Sequence, residues 1–117
     1  MSILVPGIVT AAASVTITHE AVPAEQVVAG TPSTGVVELG GFGDAEIGVW
    51  EMTVGAMSDV EADEVFVVIA GRASVVLEPG GDDAETIELT PGAVVRLAAG
   101  TRTVWTVTET LRKVYFA

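Results

Sequence analysis

The chain has no cysteine, a single histidine and only six aromatic residues among 117. Without cysteine there is neither a disulfide framework nor thiol chemistry, and nothing about the redox compartment can be read. His19 alone, in the first fifth of the chain, offers no neighbour set for a Ser-His-Asp arrangement. Positive charge is scarce as well. Five Lys and Arg face 16 Asp and Glu, for a net charge of −11. All five (Arg72, Arg96, Arg102, Arg112, Lys113) lie after residue 71. Nucleic-acid binding relies on Lys and Arg to displace counterions, so the balance excludes it as a leading reading. An anionic membrane surface is disfavoured for the same reason. No run approaches the ~18 apolar residues of a membrane-spanning helix. Met1 to Gly7 is apolar but lacks a basic n-region and is broken by Pro6-Gly7, so a cytoplasmic protein is expected.

What is present is a globular composition, 50% hydrophobic and 18% charged. A domain of this length buries roughly 65% of its unfolded surface. No segment has the periodicity of an amphipathic helix, and Ala11-Ala12-Ala13 is the one helix-friendly patch. Val15 to Thr18 alternates at the strand period. Ala21 to Gly35, with Pro23, Gly30, Pro32 and Gly35, reads as an irregular arm or short strands between turns. Gly40 to Asp44 reads as a turn. Strands are then expected over Glu46–Val54, Glu64–Ala70, Ala73–Leu77, Glu85–Leu89, Ala93–Leu97, Thr103–Thr108 and Leu111–Phe116. A polar loop over Gly55–Asp63 and a tight turn at Gly71-Arg72 are expected between them. Short strands with Gly/Pro punctuation indicate an all-β sandwich or barrel.

The stretch Asp63–Gly81 stands at the centre of this pattern. Its Val and Ile are stiff at χ1 and favour extended backbone. Alternation puts Glu64, Phe66, Val68 and Ala70 on one face and Val65, Val67 and Ile69 on the other. Both faces are apolar, so the outer one must be covered, by the N-terminal arm or by a second subunit. We expect the subunit, hence a homodimer, since a symmetric dimer is the commonest such cover.

Two stretches resemble the cupin family. Glu64, six residues and Gly71 match the end of the first cupin motif, G-x5-H-x-H-x3–4-E-x6-G. Gly92 to Thr103 matches the spacing of the second, G-x5-P-x-G-x2-H-x3-N. Gly48-Val49-Trp50-Glu51, Asp63-Glu64-Val65-Phe66, Leu89-Thr90-Pro91-Gly92, Trp105 to Glu109 and Arg112 to Tyr115 extend the likeness over about residues 20–116. The pattern is similar to the group related to the ureidoglycine aminohydrolase cupin domain. The resemblance implies an N-terminal arm over 1–20 and a cupin-type jelly-roll β-barrel of two antiparallel sheets over 21–117, with a small-molecule cavity inside.

In metal-dependent cupins three His and one Glu converge on the metal, imidazole and carboxylate suiting such ions. Here the His positions of the first motif fall on Met57 and Asp59, or on Ser58 and Val60. That of the second falls on Thr103, its Pro on Ala98 and its Asn on Val107. Only Glu64 remains, so no tight transition metal is expected. A weak hard-ion site at Glu64 and Asp59 is the residual alternative. If Glu64 points inward as the resemblance implies, Phe66 and Val68 lie beside it, and Thr103, Trp105 and Val107 point inward by the same register. A buried carboxylate without a metal must be paired, and Arg96, Arg102, Lys113 and Tyr115 are the available partners. Lys113 is expected mainly as exposed decoration and Tyr115 as half-buried. The expected function is binding of a small organic molecule at Glu64, Trp50, Thr103, Trp105, Arg96, Lys113 and Tyr115. The alternative is a metal-assisted aminohydrolase, isomerase or lyase acting on a small polar metabolite, with Glu64 as acid/base.

Overall fold

The computed structural model describes residues 2–117. Among these described residues, nine strands follow a short 3-10 turn at Ala12–Ser14 in the alanine patch. They are β1 (Glu20–Ala21), β2 (Val27–Ala29), β3 (Ser33–Phe42), β4 (Ala45–Met52), β5 (Gly55–Val60), β6 (Glu64–Leu77), β7 (Glu85–Leu89), β8 (Val94–Leu97) and β9 (Arg102–Phe116).

Two long antiparallel strands, β6 and β9, form the spine, paired from Val65↔Phe116 to Leu77↔Thr103. The last part of β9, Leu111–Phe116, also pairs with β4, while its first part, Arg102–Val107, pairs with β5. On the far side of β6, β8 takes residues Glu64–Val67 and β7 takes Ala73–Leu77. The spine therefore passes through both halves of the barrel. One half runs β1-β3-β4-β9-β6-β8, the other β2-β5-β9-β6-β7. This is the jelly-roll barrel expected from the sequence.

Two boundaries differ from expectation. Gly71-Arg72 is no hairpin turn. β6 continues through it, bent by a run of register shifts between Val68 and Ala73. Gly71 has φ +89°, and a Cβ there would run into the Thr110 carbonyl of β9. Glycine is needed for that close approach, and the spine turns its corner there. The shift also changes which residues face inward, from even numbers (Phe66, Val68) to odd (Ala73, Val75). The supposed loop Gly55–Asp63 is strand as far as Val60, since β9 supplies a ladder partner for each polar residue. Likewise Glu109-Thr110 interrupts no strand, and β3 runs on to Phe42.

Inside, Met52, Phe66, Val68, Val75, Leu89, Trp105, Val107 and Leu111 form one buried cluster, each contributing roughly 1.5–3 kcal/mol. The arm before β1 crosses the outside of the barrel. The Ile3 and Leu4 amides donate to the Leu39 carbonyl, and Ile17 and Thr18 press onto Gly35. Arg112, pointing outward from β9, donates to the Ala12 and Val15 carbonyls at 2.9 and 2.8 Å and to Glu51 Oε2 at 2.7 Å. His19 meets the other Glu51 oxygen at 2.7 Å and Ser33 Oγ at 2.9 Å. Val15 to Thr18, despite its alternation, joins no sheet. Outward-facing Leu39 and Val49 are buried without belonging to the barrel core. The arm thus covers the β3–β4 side, whereas Val65, Val67 and Ile69 stay half-buried. No described helix is long and apolar enough to cross a membrane.

Candidate functional site

A cavity of about 320 Å³ opens at one end of the barrel, between β4, β5, β9 and the start of β6. Strand alternation places its walls. On β9 the odd residues Thr103, Trp105, Lys113 and Tyr115 point inward, on β5 Met57 and Asp59, on β4 Trp50. Glu61 and Ala62 come from the short β5–β6 connection, and Glu64 opens β6.

At the floor, Lys113 Nζ donates to Glu64 Oε1 at 2.8 Å, the two side chains being 6% and 12% exposed. The ammonium also sits 4.7 Å from the ring centre of Trp50, 4.3 Å from Phe66 and 4.7 Å from Trp105. A desolvated cation over aromatic faces gains from each ring quadrupole. Lys113 is therefore buried at the centre of the site, not exposed decoration; its alkyl stem crosses the core and its charge is met at the tip. Of the four partners considered for Glu64, the fold selects this one. The aromatic rings hold one another too, with Trp105 5.5 Å from Trp50 and 5.7 Å from Phe66.

Beside this pair lies a second carboxylate station. Glu61 Oε2 accepts from the Thr103 hydroxyl at 2.6 Å and from Trp105 Nε1 at 3.0 Å. Asp59 Oδ1 accepts from the Val60 amide at 2.8 Å. Burial, with Glu61 and Glu64 nearby, raises the Asp59 carboxyl above its ordinary value. Tyr115 donates its phenol proton to Glu46 Oε2 at 2.5 Å, and burial first, then Glu46, push the phenol well above its usual range. Gly48 opposite it is needed because a Cβ there would overlap the Tyr115 ring.

Glu64, Trp50, Trp105, Lys113 and Tyr115 thus line the cavity, with Thr103 buried behind it. Arg96 does not come with them. It points outward from β8, 56% exposed, with its guanidinium 3.1 Å from Asp63, whose carboxyl the Ala99 amide and Arg96 hold below the ordinary value. Arg102 pairs with Glu78 on the surface. His19 lies against Glu51 on the outer face, away from the cavity. Glu61 and Met57 were missed as site residues. Reading Gly55–Asp63 as a solvated loop hid the strand parity that aims Met57 and Asp59 inward and leads the chain to Glu61.

The residues present do not fit the metal that the fold implies. The one retained carboxylate, Glu64, has an ammonium 2.8 Å away, where an added cation would meet like charge. Thr103 is already bonded to Glu61, and among the described residues no group of three or more His, Cys, Asp or Glu could hold a metal ion.

Residues 39–115 match the family model described as EutQ-like cupin domain. Solved structures share the fold. A putative ethanolamine utilization protein from Salmonella typhimurium superposes with TM-score 0.61 at 19% identity, over 72% of this chain and 68% of its own. A protein of unknown function from Pseudomonas syringae gives TM-score 0.70 at 24% identity over 88% of this chain, which spans only 44% of it. KdgF from Halomonas gives TM-score 0.56 at 17% identity, over 71% of this chain and 78% of its own. At these identities the likeness concerns fold alone, and the finer resemblance to the ureidoglycine aminohydrolase group is not confirmed. No curated protein matches the chain in sequence.

Proposed function

The chain belongs to the EutQ-like cupin domain family, and on that premise we propose that its barrel binds a small organic molecule without an obligatory metal. The single observation behind this reading is the Lys113–Glu64 pair at the floor of the cavity. A fixed ammonium stands beside the carboxylate that metal-dependent relatives would give to their ion, and space remains above it. The walls suit a ligand, being largely apolar with a few convergent polar groups. Glu64 offers little as an acid/base, because one of its oxygens already accepts from Lys113.

A crystallographic fragment screen on chelator-treated protein tests the proposal. Fragments seated between Trp50, Met57 and Lys113 are expected. Fragments found only elsewhere, or found there only after a divalent ion is restored, would overturn it.

We also propose a homodimer. Val94, 66% exposed, adjoins half-buried Val67 and Val114 across the outer face of β8, β6 and β9, beyond the reach of the arm. A second copy covering this face is the expected partner, located with the protein in the cytoplasm. Cell fractionation checks the location.

A further inference from the structure

The geometry points to a small organic cation with N–H donors, a primary ammonium or an amidinium on a short apolar body, as the occupant of the barrel cavity. This rests on the reading of the cavity as a binding site and follows from the hydrogen-bonding groups that the protein leaves over.

The hydroxyl, phenol and Trp105 indole donors around the cavity are taken. Lys113 Nζ gives one of its three N–H groups to Glu64, and the ammonium otherwise faces three aromatic rings. The Thr103 hydroxyl and the Trp105 indole both donate to Glu61, and the Tyr115 phenol donates to Glu46. Among the described residues lining the cavity, the Trp50 indole N–H and the two remaining N–H groups of Lys113 have no protein acceptor.

The acceptors are not taken. Glu61 uses only Oε2, Glu64 only Oε1 and Asp59 only Oδ1, so each keeps an oxygen with no protein donor. Three carboxylates face one ammonium across the cavity. An anionic ligand would meet net repulsion, three carboxylates standing against the one ammonium. A ligand bringing N–H groups and positive charge would satisfy the free oxygens of Asp59 and Glu61, whose carboxylates with Glu64 outnumber the one ammonium. Trp50, Met57, Val60 and Ala62 would take its apolar body. The same cavity already shows that an ammonium is stable within it, since Lys113 is held there by aromatic faces and a carboxylate. The raised Asp59 carboxyl agrees with a site in which negative charge is in excess.

Calorimetry on the full chain with n-pentylammonium, pentan-1-ol and pentanoate, which share one body and differ in head group, tests the inference. NMR of the Trp50 and Trp105 indole signals reports the place of binding. The ammonium is expected to saturate at one per chain, to shift both indoles, and to bind at least about tenfold more tightly than pentanoate. D59N and E61Q should each weaken it several-fold. E61Q keeps an oxygen for Thr103 and Trp105, so the walls stay in place. Pentanoate or pentanol binding equally well with indole shifts would overturn the cation and leave the cavity as a binding site. Ammonium binding that moves neither indole and ignores both substitutions would be surface attraction to a chain of net charge −11, and would overturn the inference. So would the absence of binding by all three, whereas fragment density in the cavity would still support the broader reading.

Discussion

At Lys113 a side chain with every outward sign of solubility is held 6% exposed, against a carboxylate and three rings. Breaking such a pair leaves an uncompensated buried charge, so K113M is expected to lose roughly 3–5 kcal/mol of stability in urea titration. Removing both charges in K113M/E64L should recover most of that loss, since apolar replacement of a buried pair is often neutral. A double variant no more stable than K113M would mean that the ammonium acts mainly through packing. Asp59 carries the opposite sign. Its folded carboxyl lies above the ordinary value of 3.8, so the folded state binds more protons and loses stability as pH rises through the raised value. D59N is therefore expected to melt higher than the native chain at pH 7 and to lose that advantage below about pH 3.8, where the group is protonated in both states. An advantage that persisted or grew on acidification would count against the assignment. The sequence made Glu64 conspicuous as the last motif carboxylate and offered four partners for it, Lys113 among them, without choosing between them. Arg96 and Lys113 both sit on polar-apolar strands, and only the register of β9 on β6 decides which one turns inward.

Elements carry their own tests. The corner of β6 at Gly71 was visible in the sequence as glycine punctuation, but a hairpin turn and a bent continuous strand share that signal. Only the pairing with β9 across Thr110 separates them. G71A is expected to cost more than about 3 kcal/mol, combining a left-handed φ with a clash against a carbonyl that cannot give way. A variant as stable as the native chain would remove the corner from its place in the fold. The arm is held by Glu51, which accepts from both Arg112 and His19. Burial raises its carboxyl, but these two partners outweigh burial and set it below the ordinary value of 4.5. That stabilisation is present above pH 4.5 and is lost as pH falls through the lowered value. Proteolysis between Ala11 and Val15 should therefore quicken on acidification, and at pH 7 in R112M, whose lost bonds to the arm leave two carbonyls without donors. Equal protection of the arm in R112M would show that apolar contacts alone hold it. The first 20 residues were legible as an arm but their path was not, because the Ala12 and Val15 carbonyls dock it and the strand-like alternation of Val15 to Thr18 does not.

For the whole molecule, the order of strands and turns sufficed to indicate an all-β barrel, because each glycine or proline cluster falls where a chain reverses or bends. The interior chemistry was less legible, since it depends on which face of each strand closes the barrel. The dimer belongs to this scale too. Sedimentation at tens of micromolar is expected to give twice the chain mass, and V94K with V67K should give the monomer; a native monomer would leave the outer face simply solvated. The central question is whether a lysine has taken the place of a metal. Titration of the dialysed chain with manganese, zinc and nickel ions, followed by calorimetry, asks it directly. If Lys113 is the resident cation, no ion should bind stoichiometrically more tightly than millimolar, and K113M should remain the variant that loses stability. Micromolar binding of one ion per chain, abolished in E64Q, would contradict it.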